Sequence, residues 1–107
     1  MSAEASPFGL LNLALAKAVS AAQSALDHFN ITHQLWMVVE ECAELLLALA
    51  RFQRGRGGAD AIVTEAADVI VMGLQMGLLY SADANTFAAE LATKVERLLR
   101  RIEGASA

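Results

Sequence analysis

The sequence predicts an all-α fold, in which four antiparallel helices form a bundle and the subunits of an oligomer share a core. One proline among 107 residues leaves long segments uninterrupted, and apolar residues recur at helical spacing, as in Leu91, Val95, Leu98 and Ile102. Hydrophobic residues make up 56% of the chain and charged residues 19%. A chain of this length has too little interior to bury so many apolar side chains alone. We therefore expect a single domain over residues 1–107 that associates with further copies of itself.

Capping residues and glycines set the bounds of the predicted helices, which cover approximately residues 6–28, 32–53, 60–80 and 83–103. Side chains that cap helix N-termini stand at or near these starts, and the candidates are Ser6, Asn30, Thr32, Asp60, Asp83 and Asn85. Pro7 suits the first turn of the first helix. The segment RGRGG at residues 54–58 is expected to form a loop, and Gly104 to end the fourth helix. Because the connections are short, consecutive helices are predicted to run antiparallel.

Charge and cysteine content narrow the function classes. The formal net charge is -4 and the sequence pI is about 5.0, and the basic clusters over residues 51–56 and 94–101 are short. We therefore expect no nucleic-acid partner. Cys42 is the only cysteine, which excludes an internal disulfide. Its apolar helical surroundings predict a small buried residue rather than a reactive thiol.

Hydropathy predicts a soluble, cytoplasmic protein without a membrane partner. The first residues contain Glu4 and no basic residue, unlike the positively charged start of a signal peptide. The stretch of residues 59–80 is nearly long enough to span a membrane. However, Glu65, Asp68 and Gln75 recur along it, which argues against lipid on all sides.

Two consecutive predicted helices carry carboxylates inside apolar runs. Glu41 and Glu44 lie in VVEECAELLLALA, and Glu65 and Asp68 lie in IVTEAADVIVMGLQM. Residues three apart share one face of a helix, so each pair points in one direction. Carboxylates in apolar surroundings are costly unless a positive partner compensates them, and few basic residues are near in sequence. Four carboxylates facing each other across antiparallel helices would suit Mg²⁺, with Mn²⁺ as a possible substitute.

Glu40 stands apart from these pairs, because it lies about one hundred degrees around the helix from Glu41. It is a candidate for ordering or deprotonating a water molecule, with an ordinary surface residue as the alternative. The acidic pairs have an alternative reading as well, since glutamates three apart are common on solvated helix faces. The apolar neighbours and the recurrence of a second pair at a fitting distance favour a metal site.

Together these residues resemble the motif of the MazG-like nucleotide pyrophosphohydrolases, the all-α superfamily that also includes dimeric dUTPases and dCTP pyrophosphatases. The motif is EExxE, a variable gap and then ExxD. It is matched here, with a gap of twenty residues, by Glu40, Glu41, Glu44, Glu65 and Asp68. The runs HQLWMVVEECAELLLAL, EAADVIVMGLQM and KVERLLRRI extend the resemblance over residues 30–103.

The resemblance implies Mg²⁺-dependent hydrolysis of nucleoside triphosphates between the α- and β-phosphates, which gives the monophosphate and pyrophosphate and serves nucleotide-pool housecleaning. The positions that match the family's metal ligands are Glu41, Glu44, Glu65 and Asp68. The metal would polarise phosphoryl oxygens, activate water and stabilise leaving-group charge. Glu41 or Glu40 would receive the proton of the attacking water. The resemblance also implies a homodimer or a homotetramer.

Further side chains share the faces of the carboxylates at helical spacing, and these candidates are Gln34, His33, Met72 and Gln75. The glutamine amides are expected to read the edge of a nucleotide base, and Met72 to pack on its ring. The alternatives are a core position for Met72 and a capping or surface position for His33. Trp36 points away from Glu41 and is expected to pack or to lie at a subunit interface.

Basic residues of the fourth helix are candidates for contacts with phosphate groups. We expect Lys94 and Arg97 to bind the substrate if this helix crosses the mouth of the site. The alternative is a solvated basic face, paired with neighbouring glutamates. Arg54 and Arg56 of the glycine-rich loop are further candidates for closing over the substrate.

Two other function classes compete with the hydrolase. The first is a non-catalytic helical module that retains the fold and oligomerises or binds a partner. The second is a di-iron carboxylate bundle, which normally uses Glu-x-x-His pairs. Neither His28 nor His33 follows a glutamate at that spacing, so this class ranks last.

Overall fold

A computed structural model of the protein describes residues 7–106 as an assembly of α-helices. The helices are α1 (Gly9–His28), α2 (Ile31–Gln53), α3 (Ala59–Tyr80) and α4 (Ala84–Ser106). No strand occurs among the described residues, so the predicted all-α class is confirmed. These residues form two compact units, and the boundary between the units lies inside α3, after Met76.

Two of the predicted N-caps are confirmed. The side-chain oxygen of Asn30 accepts a hydrogen bond from the backbone N–H of His33 at 3.2 Å, which caps α2. In the second unit, Asp83 accepts two hydrogen bonds from Thr86, at 2.7 Å from its backbone N–H and at 2.9 Å from its hydroxyl. Each cap satisfies an N–H group that the first turn of a helix leaves without an intrahelical partner.

Other predicted helix ends need correction. The predicted cap Ser6 lies outside the described residues, and α1 begins at Gly9. Asp60 is not a cap, because α3 begins one residue earlier and Asp60 lies in its first turn. A carboxylate is favourable there as well, since the N-terminal end of a helix is positive. Gly104 does not end α4, which continues to Ser106. A single glycine lowers helix stability by only about 1 kcal/mol.

The glycine-rich segment after α2 is a compact turn, as predicted. Gly55 has a φ of 73°, in the left-handed region that favours glycine. The N–H of Arg56 donates to the carbonyl of Arg51 at 2.8 Å, and the N–H of Gly55 to that of Phe52 at 3.0 Å. This pair of bonds is the Schellman arrangement, which ends a helix while satisfying its last carbonyl groups. The turn reverses the chain and leads into α3.

In the first unit, α2 and α3 lie side by side in antiparallel orientation. Three pairs of side chains meet across them: Gln34 with Gln75, Glu41 with Asp68, and Glu44 with Glu65. From the first pair to the second, the position advances by seven residues on α2 and goes back by seven on α3. From the second pair to the third, the corresponding steps are three residues. The predicted antiparallel pairing of these two helices is therefore confirmed.

Most large apolar side chains lie on the exterior of the single chain. Among the described residues, the buried apolar side chains are Ala22 and Met72. By contrast, Trp36 is 65% exposed, Leu46 68% and Val63 69%. Composition alone predicted this excess of apolar surface, and the shared core between subunits stays a prediction.

The cysteine of α2 also lies on this exposed surface. The prediction that Cys42 is buried is wrong, because its side chain is exposed. Cys42 lies about 100° around α2 from Glu41, and α3 covers the face that carries Glu41.

Within residues 7–106, α3 is the helix that is long and apolar enough to cross a membrane by length and composition. The cytoplasmic location stays a prediction.

Candidate metal centre

The antiparallel pairing of α2 and α3 gathers the predicted metal ligands in one place. Carboxylate oxygens of Glu41, Glu44 and Glu65 all lie within 4.8 Å of one another. Asp68 adjoins this group, because its carboxyl group lies within hydrogen-bonding reach of Glu41. The spacing of three residues on each helix puts both members of a pair on the inward face, and the register puts the pairs at the same height.

Two oxygens of this cluster are buried without a hydrogen-bond partner. They are Oε2 of Glu41 and Oε2 of Glu65. A buried oxygen without a partner is unfavourable, and more so when it carries negative charge. Carboxylate oxygens are the ligands that Mg²⁺ and Mn²⁺ accept. The donor set and its unsatisfied oxygens therefore fit a divalent cation.

The surroundings of Glu41 and Glu65 disfavour the ionised form of these two side chains. Desolvation raises the pKa of Glu41, and hydrogen bonding with Asp68 and the nearby charges of Asp68, Glu44 and Glu65 raise it further. Desolvation likewise raises the pKa of Glu65, followed by hydrogen bonding with Glu44 and the charges of Glu44 and Asp68. Burial and like charge both disfavour the carboxylate form of a side chain. A cation placed among these groups would offset the repulsion between their like charges.

The glutamines that the sequence placed on the same faces are buried and bonded to each other. Gln34 is 7% exposed and Gln75 is 4% exposed, and Nε2 of Gln34 donates to Oε1 of Gln75 at 2.5 Å. Nε2 of Gln75 then donates to Sδ of Met72 at 3.5 Å. The alternative of a core position for Met72 is confirmed, since its side chain is 8% exposed. These amides are committed to a polar contact between α2 and α3, two helical turns from Glu41.

Three other candidates on α2 point outward. His33 is exposed, and its backbone N–H donates a hydrogen bond to the capping side chain of Asn30. Glu40 is exposed and does not belong to the group of carboxylates within 4.8 Å of one another. Trp36 is exposed as well, on a side of α2 that α3 does not cover.

The basic candidates of α4 belong to the second unit. Nζ of Lys94 lies 3.7 Å from Oε1 of Glu90, in an exposed pair one helical turn apart. Such a pair contributes little to stability. Arg97 lines a groove of about 400 Å³ along α4, together with Thr93, Arg100 and Arg101. The proposed contacts of Lys94 and Arg97 with phosphate groups stay predictions.

A cavity beside the carboxylates contains a residue that was not among the sequence-based candidates. This cavity, of about 200 Å³, is lined by Glu44, Leu47, Ala48, Arg51, Gly57, Gly58, Ala61 and Glu65. Arg51 follows Glu44 by seven residues and therefore shares its face of α2. That spacing is the signal from which the sequence could have identified it.

Comparisons with known proteins give no match: no family model, no curated protein and no solved structure is significantly similar to this chain. The resemblance to the MazG-like hydrolases therefore rests on the acidic motif and its surrounding sequence.

Proposed function

We propose that the protein is a Mg²⁺-dependent nucleoside triphosphate pyrophosphohydrolase, which cleaves a nucleoside or deoxynucleoside triphosphate to the monophosphate and pyrophosphate. The observation that carries this proposal is the group of carboxylates on α2 and α3, two of whose oxygens are buried without a partner. A structural role alone does not account for it, because paired carboxylates in apolar surroundings destabilise a fold. The acidic motif then links a divalent cation to nucleotide chemistry.

In this proposal, the cation is held by Glu41, Glu44, Glu65 and Asp68. When bound, it supplies the positive charge that polarises phosphoryl oxygens and lowers the pKa of a water molecule. Glu41, whose carboxylate would lie beside that water, is one candidate to accept its proton. Glu40, exposed at the edge of the group, is the other candidate for this proton transfer.

Base recognition in this proposal involves the polar contact between the two helices. Gln34 and Gln75 would bind a base edge through the amide donors and acceptors that their shared hydrogen bond leaves free, or by exchanging that bond. Met72 lies next to them and offers a polarizable surface to an aromatic ring. His33, exposed at the start of α2, would contact a more distant part of the nucleotide.

The test is release of pyrophosphate and monophosphate from a panel of canonical and modified nucleoside triphosphates, with Mg²⁺ and with EDTA. We expect metal-dependent release that is lost in Glu41→Gln and retained in the control Glu96→Gln, which removes an exposed carboxylate of α4. Glu40→Gln separates the two candidates for the proton acceptor. If folded protein with bound Mn²⁺ releases no pyrophosphate from any nucleotide of the panel, the hydrolase is wrong.

A second candidate function is a non-catalytic helical module that oligomerises or binds a partner. The extent of exposed apolar surface on all described helices favours it. Both functions are compatible with association into a homodimer or a homotetramer. They differ in turnover, so the nucleotide panel distinguishes them.

A further inference from the structure

The cavity next to the carboxylates has opposite charges at its two ends. Glu44 and Glu65 line one end, and Arg51 lines the other together with Gly58. Between them the wall consists of small or apolar side chains, which leave a volume of about 200 Å³. The two ends are seven residues apart along α2, which corresponds to about 10 Å.

Arg51 makes no ion pair with the acidic residues of its own cavity. The ion pair found within residues 7–106 joins Lys94 and Glu90, and no carboxylate of these described residues lies within 4.0 Å of the Arg51 guanidinium. An arginine that neutralised the cluster would contact Glu44 or Glu65 directly. Its charge is therefore available to a ligand of the cavity.

The turn after α2 holds the main chain of Arg51 in place. The carbonyl of Arg51 accepts hydrogen bonds from the N–H groups of Arg54 at 3.1 Å and of Arg56 at 2.8 Å. Gly57, with a φ of 82°, lies beside Arg51, and a Cβ on it would be in ordinary van der Waals contact with Cβ of Arg51, at 3.8 Å. The side chain of Arg51 therefore extends from a main chain held by hydrogen bonds, and it lines the cavity.

The same end of the cavity contains the beginning of α3. Gly58 and Ala61 belong to the cavity wall, and α3 starts at Ala59. The first N–H groups of a helix have no intrahelical partner, and they favour negative charge nearby. A guanidinium group adds two parallel N–H donors, which match the oxygens of a phosphate group.

We propose that Arg51 forms an anion subsite for the phosphoryl oxygens of a polyphosphate whose other oxygens bind the cation at the carboxylate end. This inference rests on the proposed function and adds the residue that receives the phosphate chain. The ligand class is a metal-bound di- or triphosphate, because only such an anion is attracted to both ends of the cavity. A metal ion alone has no attractive interaction with the positive charge of Arg51.

The experiment uses Mn²⁺ and pyrophosphate as probes, with binding followed by calorimetry and by the electron paramagnetic resonance of Mn²⁺. Arg51→Gln removes the charge, Arg51→Lys keeps the charge without the paired donors, and Arg54→Gln is the matched control from the same turn. Arg54 does not line the cavity. The affinity for Mn²⁺ alone also reports whether each variant folds.

We expect all three variants to bind Mn²⁺ alone within about twofold of the unmodified protein. In Arg51→Gln, the affinity of the Mn²⁺-loaded protein for pyrophosphate should fall by about tenfold or more. In Arg51→Lys it should fall by a smaller factor, and in Arg54→Gln it should be unchanged. Equal weakening by Arg51→Gln and Arg54→Gln would overturn the subsite, because it would indicate general charge attraction. So would unchanged binding in Arg51→Gln. Failure of the unmodified protein to bind Mn²⁺ would instead overturn the proposed function.

Discussion

At the scale of single residues, the protein keeps carboxylates where their ionised form is unfavourable. Glu41 and Glu65 each have one buried oxygen without a partner, and each lies beside another carboxyl group. Such an arrangement is tolerated when a ligand compensates it, and it often marks a functional site. It also has a measurable consequence for stability without metal.

We predict that the metal-free protein loses stability as the pH rises from 4.5 to 7.5. The pKa values of Glu41 and Glu65 are raised above their ordinary value of 4.5 in the folded state. The folded protein therefore holds these protons more tightly than the unfolded chain. Their contribution is fully present below pH 4.5 and is lost as the pH rises through the folded pKa values. Urea unfolding in EDTA across this range measures the slope.

The control for this prediction is Glu65→Gln, which should flatten the slope because the amide does not titrate. Hydrogen bonds from Thr86 lower the pKa of Asp83 below its ordinary value of 3.8, so its contribution is lost only when the pH falls through the lower folded value. Asp83 therefore does not disturb the chosen range. An identical slope in the unmodified protein and in Glu65→Gln would contradict the prediction.

At the scale of helices, one buried hydrogen bond between α2 and α3 matches the register at which the carboxylates meet. Gln34 and Gln75 are the buried polar side chains of the described residues, and they bond to each other. A slip of α3 by one residue would rotate its inward face by about 100° and would separate the two amides. Buried polar pairs are known to specify register in packed helices.

We predict opposite effects of single and double replacement of these glutamines. Gln75→Leu leaves the amide of Gln34 buried without a partner and lowers the free energy of unfolding by about 1 to 3 kcal/mol. The double variant Gln34→Leu with Gln75→Leu regains most of this stability, since no polar group stays unpaired. Its Mn²⁺ affinity stays below that of the unmodified protein, because the register is less specific. Urea unfolding and Mn²⁺ titration measure the two quantities, and full recovery of Mn²⁺ affinity would argue against a role in register.

Two glycines of α3 are predicted to respond differently to the same substitution. The ring of Phe87 lies directly over Gly77, where a Cβ would overlap with it, whereas nothing lies within 4 Å of a Cβ on Gly73. Gly73→Ala should stabilise the protein by about 1 kcal/mol through higher helix propensity. Gly77→Ala should destabilise it by about 1 to 3 kcal/mol, since the overlap must be relieved by movement. Thermal or urea unfolding of both variants gives the comparison, and equal effects would refute it.

At the scale of the whole molecule, the amount of apolar surface on the chain predicts association. Each of the two compact units exposes large apolar residues, such as Leu46 in the first and Leu98 in the second. Exposed apolar surface of this extent normally marks contact surfaces. A chain of this length also buries a smaller share of its surface than a larger protein.

We predict a homodimer or a homotetramer at micromolar concentration in analytical ultracentrifugation. Leu46→Glu should weaken association, because it places a charge on an apolar face of α2 about 140° from Glu41. Gln53→Glu, on the same helix and already exposed to water, is the matched control and should associate normally. A monomer in the unmodified protein would refute the shared core.

The four helices, the caps at Asn30 and Asp83 and the carboxylate pairs could be predicted from the amino-acid sequence, because they depend on interactions between residues a few positions apart. Spacing also showed which residues share a face of a helix. Three features became visible only in the folded chain: Gln34 bonds to Gln75, Cys42 is exposed, and oxygens of two glutamates have no hydrogen-bond partner. The tertiary structure also placed Arg51 in one cavity with the carboxylates. These features depend on the register between α2 and α3, which the packing of both helices sets and which no local pattern encodes.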